Sequence, residues 1–547
     1  MIDPAHGNDG TVVDLWIGDG KVIAAPSDPD VKADRTIDAR GYVVMPAGVD
    51  MHCHIAGSKV NLARGLRPEL ARESAGWSRS DLTRSGTTSV VPTTFVTGYR
   101  YAGLGYGTAI DAAIAPLGAR HAHHEFQDTP LIDKAFLVLV GNNHQVMDAI
   151  REGDRTQLRE YLSWLANATG GFGFKIVNPG GVETWKQGHG NLAALDQMVP
   201  GFDVTPRQII NEVAHAVDDL KVPHPVHLHG LNLGVPGNAE ITAETMSALD
   251  GHRTHLAHIQ FHSYGGSATD LDSFGSSVGP LVDYVNTHKN LTVDVGQILF
   301  GDTTSMTADG PVGQFLQKVT KRKWVSNDIE METGCGVVPI EYRDKNLVHA
   351  WQWAIGLEWY LRMDDPWRIA MSTDHPNGGS FMAYPQVIAL LMDRGLRQDA
   401  LAQLPQAVRD RSALSELTRE YSLAEIAIIT RAAPAKILGL AHKGHLGPGA
   451  DGDVTIYAPD DDKTRMFALP RYLILRGEVV LDDTELRTIP DGRTMHLTMP
   501  SDPDRVVKIQ QDFDRSASIA FSHFGIDPEE IGPRVVVPCR LPSEGLA

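Results

Sequence analysis

The chain has 547 residues, 42% hydrophobic and 21% charged, enough to bury a large core in one main domain beside a smaller one, and unlike a stapled miniprotein, a fibre or a disordered segment. Its 49 Lys and Arg against 68 Asp and Glu leave a net charge of -19, a field that repels phosphates and anionic lipid, so neither nucleic acid nor a membrane surface is an expected partner. Cys53, Cys335 and Cys539 are odd in number, far apart and form no CxxC pair, which argues against a disulfide framework or a thiolate metal site and for a reducing cytoplasm.

The first residues, MIDPAHGNDG, contain no export signal, and no run of about 18 apolar residues offers a membrane span. Residues 11 to 46 predict short strands, with GDGK as a hairpin turn, and residues 446 to 482 predict more of the same. The two ends, 1–46 and 438–500, are therefore expected to form one composite β domain. Between them, over 47–437, apolar runs recur at Gly48, Thr87, Lys134, Gly171, His224, Thr254, Leu291 and Arg368, separated by helical or loop stretches. Eight such βα units predict a (β/α)8 barrel. The long gap before the last run, ETGCGVVPIEYRDKN and then HAWQWAIGLEWYLRM, predicts an elaborated loop followed by a buried packing helix. The Pro-rich, charged extension 501–547 suits wrapping another surface.

Chemistry-bearing residues gather at the ends of these runs. His52 and His54 are two apart in a strand, so both imidazoles face one side, as chelating ligands or as hydrogen-bonded core groups. Lys175 lies inside the apolar strand GFGFKIVNPGG. It is either an ion-paired, snorkelling lysine or one whose burial favours the free, reactive amine. His227 and His229 share a strand face in HPVHLHG, and THLAHIQFHSYGG adds His255, His258 and His262; a metal centre takes four or five ligands, which leaves His227, His255 and His262 as supporting groups. Asp374 in MSTDHPNGG is a turn cap in isolation, but at the end of the last run it faces the same barrel mouth. Lys59, Arg64 and Arg67, just after the first strand, are either surface charges or a local basic patch for an acidic ligand.

HxH on the first strand, Lys on the fourth, His on the fifth and sixth and Asp on the eighth resembles the binuclear, carboxylated-lysine branch of the amidohydrolase superfamily. The longer strings MHCHIAGSKVNLAR, FKIVNPGG, HLHGLNLGVPGN, HLAHIQFHSYGG and MSTDHPNGGSF are similar, over nearly the whole chain, to the A subunits of formylmethanofuran dehydrogenases, and more to the bacterial branch found in formyltransferase/hydrolase complexes. One departure is that related hydrolases read HAEN where this chain has His229, Gly230, Leu231 and Asn232, so an acidic group is missing there. The resemblance implies two zinc ions: one on His52, His54 and Asp374, the other on His229 and His258, with carboxylated Lys175 bridging them. It also implies Asp374 as the proton-transferring residue, a methanofuran-type formyl carrier with an acidic tail as substrate, and other members of the complex as partners. The expected reaction is hydrolysis of the N-formyl group to formate and the free amine. With scattered cysteines and no dinucleotide glycine fingerprint, any redox step belongs to a partner. The alternatives are the equivalent component of a dehydrogenase complex, a cyclic-amide hydrolase such as a dihydropyrimidinase, and a scaffold that has lost its metals.

Overall fold

The computed structural model describes residues 1–28, 30–73, 76–249, 251–327 and 335–538. Eight parallel strands form a barrel: β1 (Gly48–Cys53), β2 (Tyr106–Ile114), β3 (Asp133–Leu139), β4 (Gly173–Val177), β5 (Val226–His229), β6 (Thr254–Leu256), β7 (Leu291–Asp294) and β8 (Ile369–Ala370). Each pairs with the next in chain order. The circuit closes where Cys53 bridges His375 just past β8 and the His54 N–H donates to the His375 carbonyl at 2.7 Å. Residues of β2, β3, β4 and β5 are buried throughout, because helices cover the outside of a parallel sheet and side chains fill its inside.

Seven of the eight expected runs contain a barrel strand; the run from Thr87 does not. It forms a short hairpin strand, Gly86–Thr87, and then the helix Thr94–Gly103. Pro92 cannot donate to a ladder, Thr93 enters the helix in an extended conformation, and Val96 and Tyr99, three apart, bury one helical face. The true second strand, YGTAIDAAI, is rich in alanine and carries an aspartate, so its own strand preference is low. It is a strand because both of its faces are buried between β1 and β3.

The aromatic stretch before β8 is the expected packing helix, Leu347–Arg362, capped by the Asn346 side chain and burying Trp351, Trp353, Trp359 and Tyr360. The loop ahead of it is a three-stranded antiparallel insertion, Gly301–Thr307, Val325–Asn327 and Cys335–Tyr342, with the helix Gly310–Thr320. Residues 332–334 of that loop, and Cys539 in the extension, lie outside the described residues. The insertion grips the turn after β8: the Met306 N–H donates to Asn377 Oδ1 at 2.7 Å and the Tyr342 hydroxyl to the Asn377 carbonyl at 3.0 Å.

Both chain ends contribute to one five-stranded sheet, in which Val43–Pro46 pairs with Val454–Tyr457. The GDGK turn joins Trp16–Gly18 to Lys21–Ile23, with Asp19 and Gly20 at φ 49° and 76°, as a two-residue hairpin of this hand requires. Residues 501–538 of the extension lie on the outside of the barrel, where Phe521 and Phe524 stack on Trp164 at 5.2 and 5.3 Å. Its strand Arg534–Pro538 runs parallel to Thr494–Thr498, which itself pairs with β3. Among the described residues, no helix is long and apolar enough to cross a membrane.

A buried ion network fastens the terminal sheet to the base of the barrel. Lys443 Nζ lies 2.6 Å from Asp133 at the start of β3, 3.0 Å from Asp451 and 2.5 Å from Asp453, with Arg493 also on Asp133 and Asp451. Lys443→Ala leaves buried carboxylates short of a cation. It is expected to lower unfolding free energy by about 3–5 kcal/mol, read by chemical denaturation; a loss under about 1 kcal/mol, the scale of an exposed pair, would mean that Arg493, with Arg476 at 3.0 Å from Asp133, suffices.

Candidate metal centre

β1 carries His52, and His54 just past its end, to the barrel mouth, where Asp374 meets both. His52 Nε2 is 3.2 Å and His54 Nε2 3.1 Å from Asp374 Oδ1. Asp374 has φ 50°, and Asn377 Nδ2 donates to its Oδ1 at 3.0 Å. Burial opposes ionisation of Asp374, yet His52 and His258 hold its carboxyl well below the usual range.

His229 at the end of β5, His258 just after β6 and His262 form a second group, all buried, with ring centroids of His229 and His258 4.8 Å apart and those of His258 and His262 5.5 Å apart. His52 and His258, at 5.2 Å, join the two groups. Burial holds the rings of His229 and His258 below the usual imidazole range, which favours the neutral form that binds a metal. His258 itself sits at φ 34° against Gly296, where a Cβ would lie 2.5 Å from the His258 Cβ; only glycine fits.

Lys175 on β4 is 1% exposed, its Nζ has no hydrogen-bond partner, and burial lowers its pKa to about 7. His52 Nε2, His258 Nδ1 and His262 Nε2 are likewise buried without a hydrogen bond. Unpartnered buried polar atoms are rare. Nitrogens of this kind, beside a carboxylate held ionised, form a donor set for cations of zinc's borderline character.

A layer of carboxylates and imidazoles backs these residues. Register places Lys175 beside His227, and His227 beside His255. Asp294 at the end of β7 accepts from His52 Nδ1 at 2.9 Å, His255 Nε2 at 3.1 Å and the His258 N–H at 3.0 Å, and also from the Ser372 hydroxyl. His227 Nε2 lies 3.2 Å from His52 Nδ1 and its other nitrogen 3.0 Å from His224 Nε2. Asp111 on β2 is 3.4 Å from His54 Nδ1 and accepts from the Ile55 and Ala56 N–H groups. Asp50, one turn of the pleat below His52, takes the hydroxyls of Tyr101 and Tyr384 at 2.7 and 2.5 Å. His227 and His255 thus lie behind His52, whereas His262 shares the His229–His258 group.

Asp111, Asp50 and His224 carry no signal that the sequence patterns above pick out. Asp294 ends an apolar run, LTVDVG, as Asp374 does, and the same positional rule reaches it. Asp111 is hidden by the misplaced second strand.

The three basic candidates are held in separate ion pairs. Lys59 is buried, bonded to the Ala113 carbonyl and 3.6 Å from Asp111. Arg64 pairs with Glu125 at 2.8 Å and Arg67 with Asp302 at 3.2 Å. Each cation already has a carboxylate, so no open basic patch forms from these three.

Residues 35–481 match the model of the amidohydrolase family. The chain is 41% identical to protein FwdA of Methanocaldococcus jannaschii, over 97% of this chain and 96% of that one. It is 37% identical to the A component of the formyltransferase/hydrolase complex Fhc of Methylorubrum extorquens, over 99% and 98%. A chain in the X-ray structure of the complex FhcABCD from Methylorubrum extorquens, bound to methylofuran, superposes with TM-score 0.92 at 36% identity, covering 98% of both chains.

Proposed function

Because the chain belongs to the amidohydrolase family, we propose that it hydrolyses the N-formyl group of a methanofuran-type carrier to formate and the free amine, as the hydrolase component of a formyltransferase/hydrolase complex. The observation that carries this reading is the convergence of His52, His54, Lys175, His229, His258 and Asp374 at one barrel mouth, with buried nitrogens lacking hydrogen bonds, in a chain alike over its whole length to the A component of Fhc.

Zinc would be held by His52, His54 and Asp374 in one group and by His229 and His258 in the other, and Lys175, as a carbamate, would supply a further anionic ligand. When bound, zinc supplies Lewis acidity that polarises a carbonyl and activates water near neutral pH. The chain's own residues do the rest. Asn377 donates to Asp374 Oδ1 and so leaves Oδ2 to accept the proton lost as water adds to the formyl carbon. The C–N bond then breaks as Asp374 returns that proton to the amine nitrogen, because an amine anion is too basic to leave. Lys175 and the histidines, sealed in the barrel, keep bulk water from competing for the same positions.

The resemblance of the longer strings to A subunits of formylmethanofuran dehydrogenases favours a second reading, in which the same hydrolysis serves a dehydrogenase-type complex. Copurifying partners decide between them: a formyltransferase supports the first, a redox protein the second. For the activity itself, formate release from N-formylmethanofuran or a formylated furfurylamine is measured without electron acceptor or pterin. Release by the zinc-loaded chain that stops on chelation and returns with zinc is expected. No release from zinc-loaded protein would overturn the proposal.

A further inference from the structure

We infer that Asp309, from the insertion between β7 and β8, is the positioning residue for His229 and supplies the acidic partner that is missing from the segment after β5. The inference rests on the reading of His229 as an ion ligand. Asp309 Oδ2 lies 3.2 Å from His229 Nε2, with both side chains buried. Its other oxygen, Oδ1, accepts from Asn178 Nδ2 at 3.0 Å and from the Val312 N–H at 3.4 Å. One carboxylate therefore ties the insertion to the ends of β4 and β5.

Helix capping does not account for this placement. Asp309 does cap the helix Gly310–Thr320 through Oδ1, but Ser, Asn and Asp cap about equally well and none needs burial. Burying a carboxylate is costly unless it is fully partnered. Here the second oxygen goes to an imidazole, at a point where the HGLN segment offers only Gly230 and Leu231. Asn178 is fixed in turn: it has φ 42°, its N–H donates to the His229 carbonyl at 2.9 Å, and a Cβ on Gly181 would meet its Oδ1 at 2.0 Å.

An imidazole that donates its Nε2–H to a carboxylate is held in one tautomer and one orientation, with Nδ1 carrying the lone pair toward the site and made more basic. His52 and His54 have the same kind of backing, from Asp294 and Asp111. Asp309 completes the pattern for His229 from outside the barrel strands.

The test uses full-length protein stripped of metal and titrated with zinc against a chromophoric chelator, with the melting temperature of each apo protein measured alongside. Asp309→Ser keeps a capping oxygen and loses the carboxylate. It should weaken one of the two zinc sites about 10–100-fold with the apo melting temperature unchanged, and Asp309→Asn should fall between it and wild type. Unchanged zinc affinity in Asp309→Ser overturns the inference, as does a loss matched by a lower apo melting temperature, which would make Asp309 a helix cap only. A wild type that binds no zinc would instead fail the metal reading itself.

Discussion

Asp374→Asn is expected to cut formate release at least about a hundredfold, the low end for loss of a positioned acid/base, while the chain stays folded. Asn matches the size of Asp and can still meet Asn377, His52 and His54, so packing at the turn after β8 is kept. It cannot take a proton at neutral pH. The wild-type carboxyl, held well below its ordinary range by His52 and His258 in spite of burial, enters the reaction ionised and able to accept one. Because Asp374 also belongs to the proposed ligand set, bound zinc is measured in the same samples. A variant that retains both ions and loses the rate places the defect in proton transfer. One that retains both the ions and the rate removes Asp374 from the catalytic role.

The parts of this site that local rules specify are legible in the sequence. A strand alternates its faces, so HxH at His52 and His54 fixes two imidazoles on one side before any fold is known. A parallel barrel gathers the ends of its strands, so His229, His258 and Asp374 can be assembled from their positions at the ends of apolar runs. Failure follows where three-dimensional context overrides local preference. The β2 sequence, rich in alanine and interrupted by an aspartate, is a strand because β1 and β3 bury it, and its misplacement conceals Asp111. Asp309 belongs to an insertion that returns over the barrel mouth, and no periodicity in TADGPVG signals that its carboxylate meets His229. Lys59, Arg64 and Arg67 read from sequence either as surface charges or as a local basic patch, and sequence cannot decide because their carboxylate partners Asp111, Glu125 and Asp302 come from segments distant in sequence.

Lys175 yields the second large effect. A lysine that is 1% exposed with no acceptor for its Nζ is the form least able to stay an ammonium ion, and a pKa lowered to about 7 leaves a large share as free amine at neutral pH. Free amine adds carbon dioxide to give a carbamate, an anion with two oxygens that would offset the positive charge of two ions in a site otherwise rich in neutral imidazoles. Lys175→Ala removes that anion and Lys175→Arg replaces it with a permanent cation. Both should lose at least one zinc per chain and lower formate release by about a thousandfold or more, since activation by a metal supplies several kcal/mol and each 1.4 kcal/mol is about tenfold. Native mass spectrometry of wild type should find the chain heavier by one carbon dioxide, lost on acid treatment and restored by bicarbonate with zinc. If Lys175→Ala keeps both ions and its rate, the unpartnered amine serves neither metal binding nor catalysis.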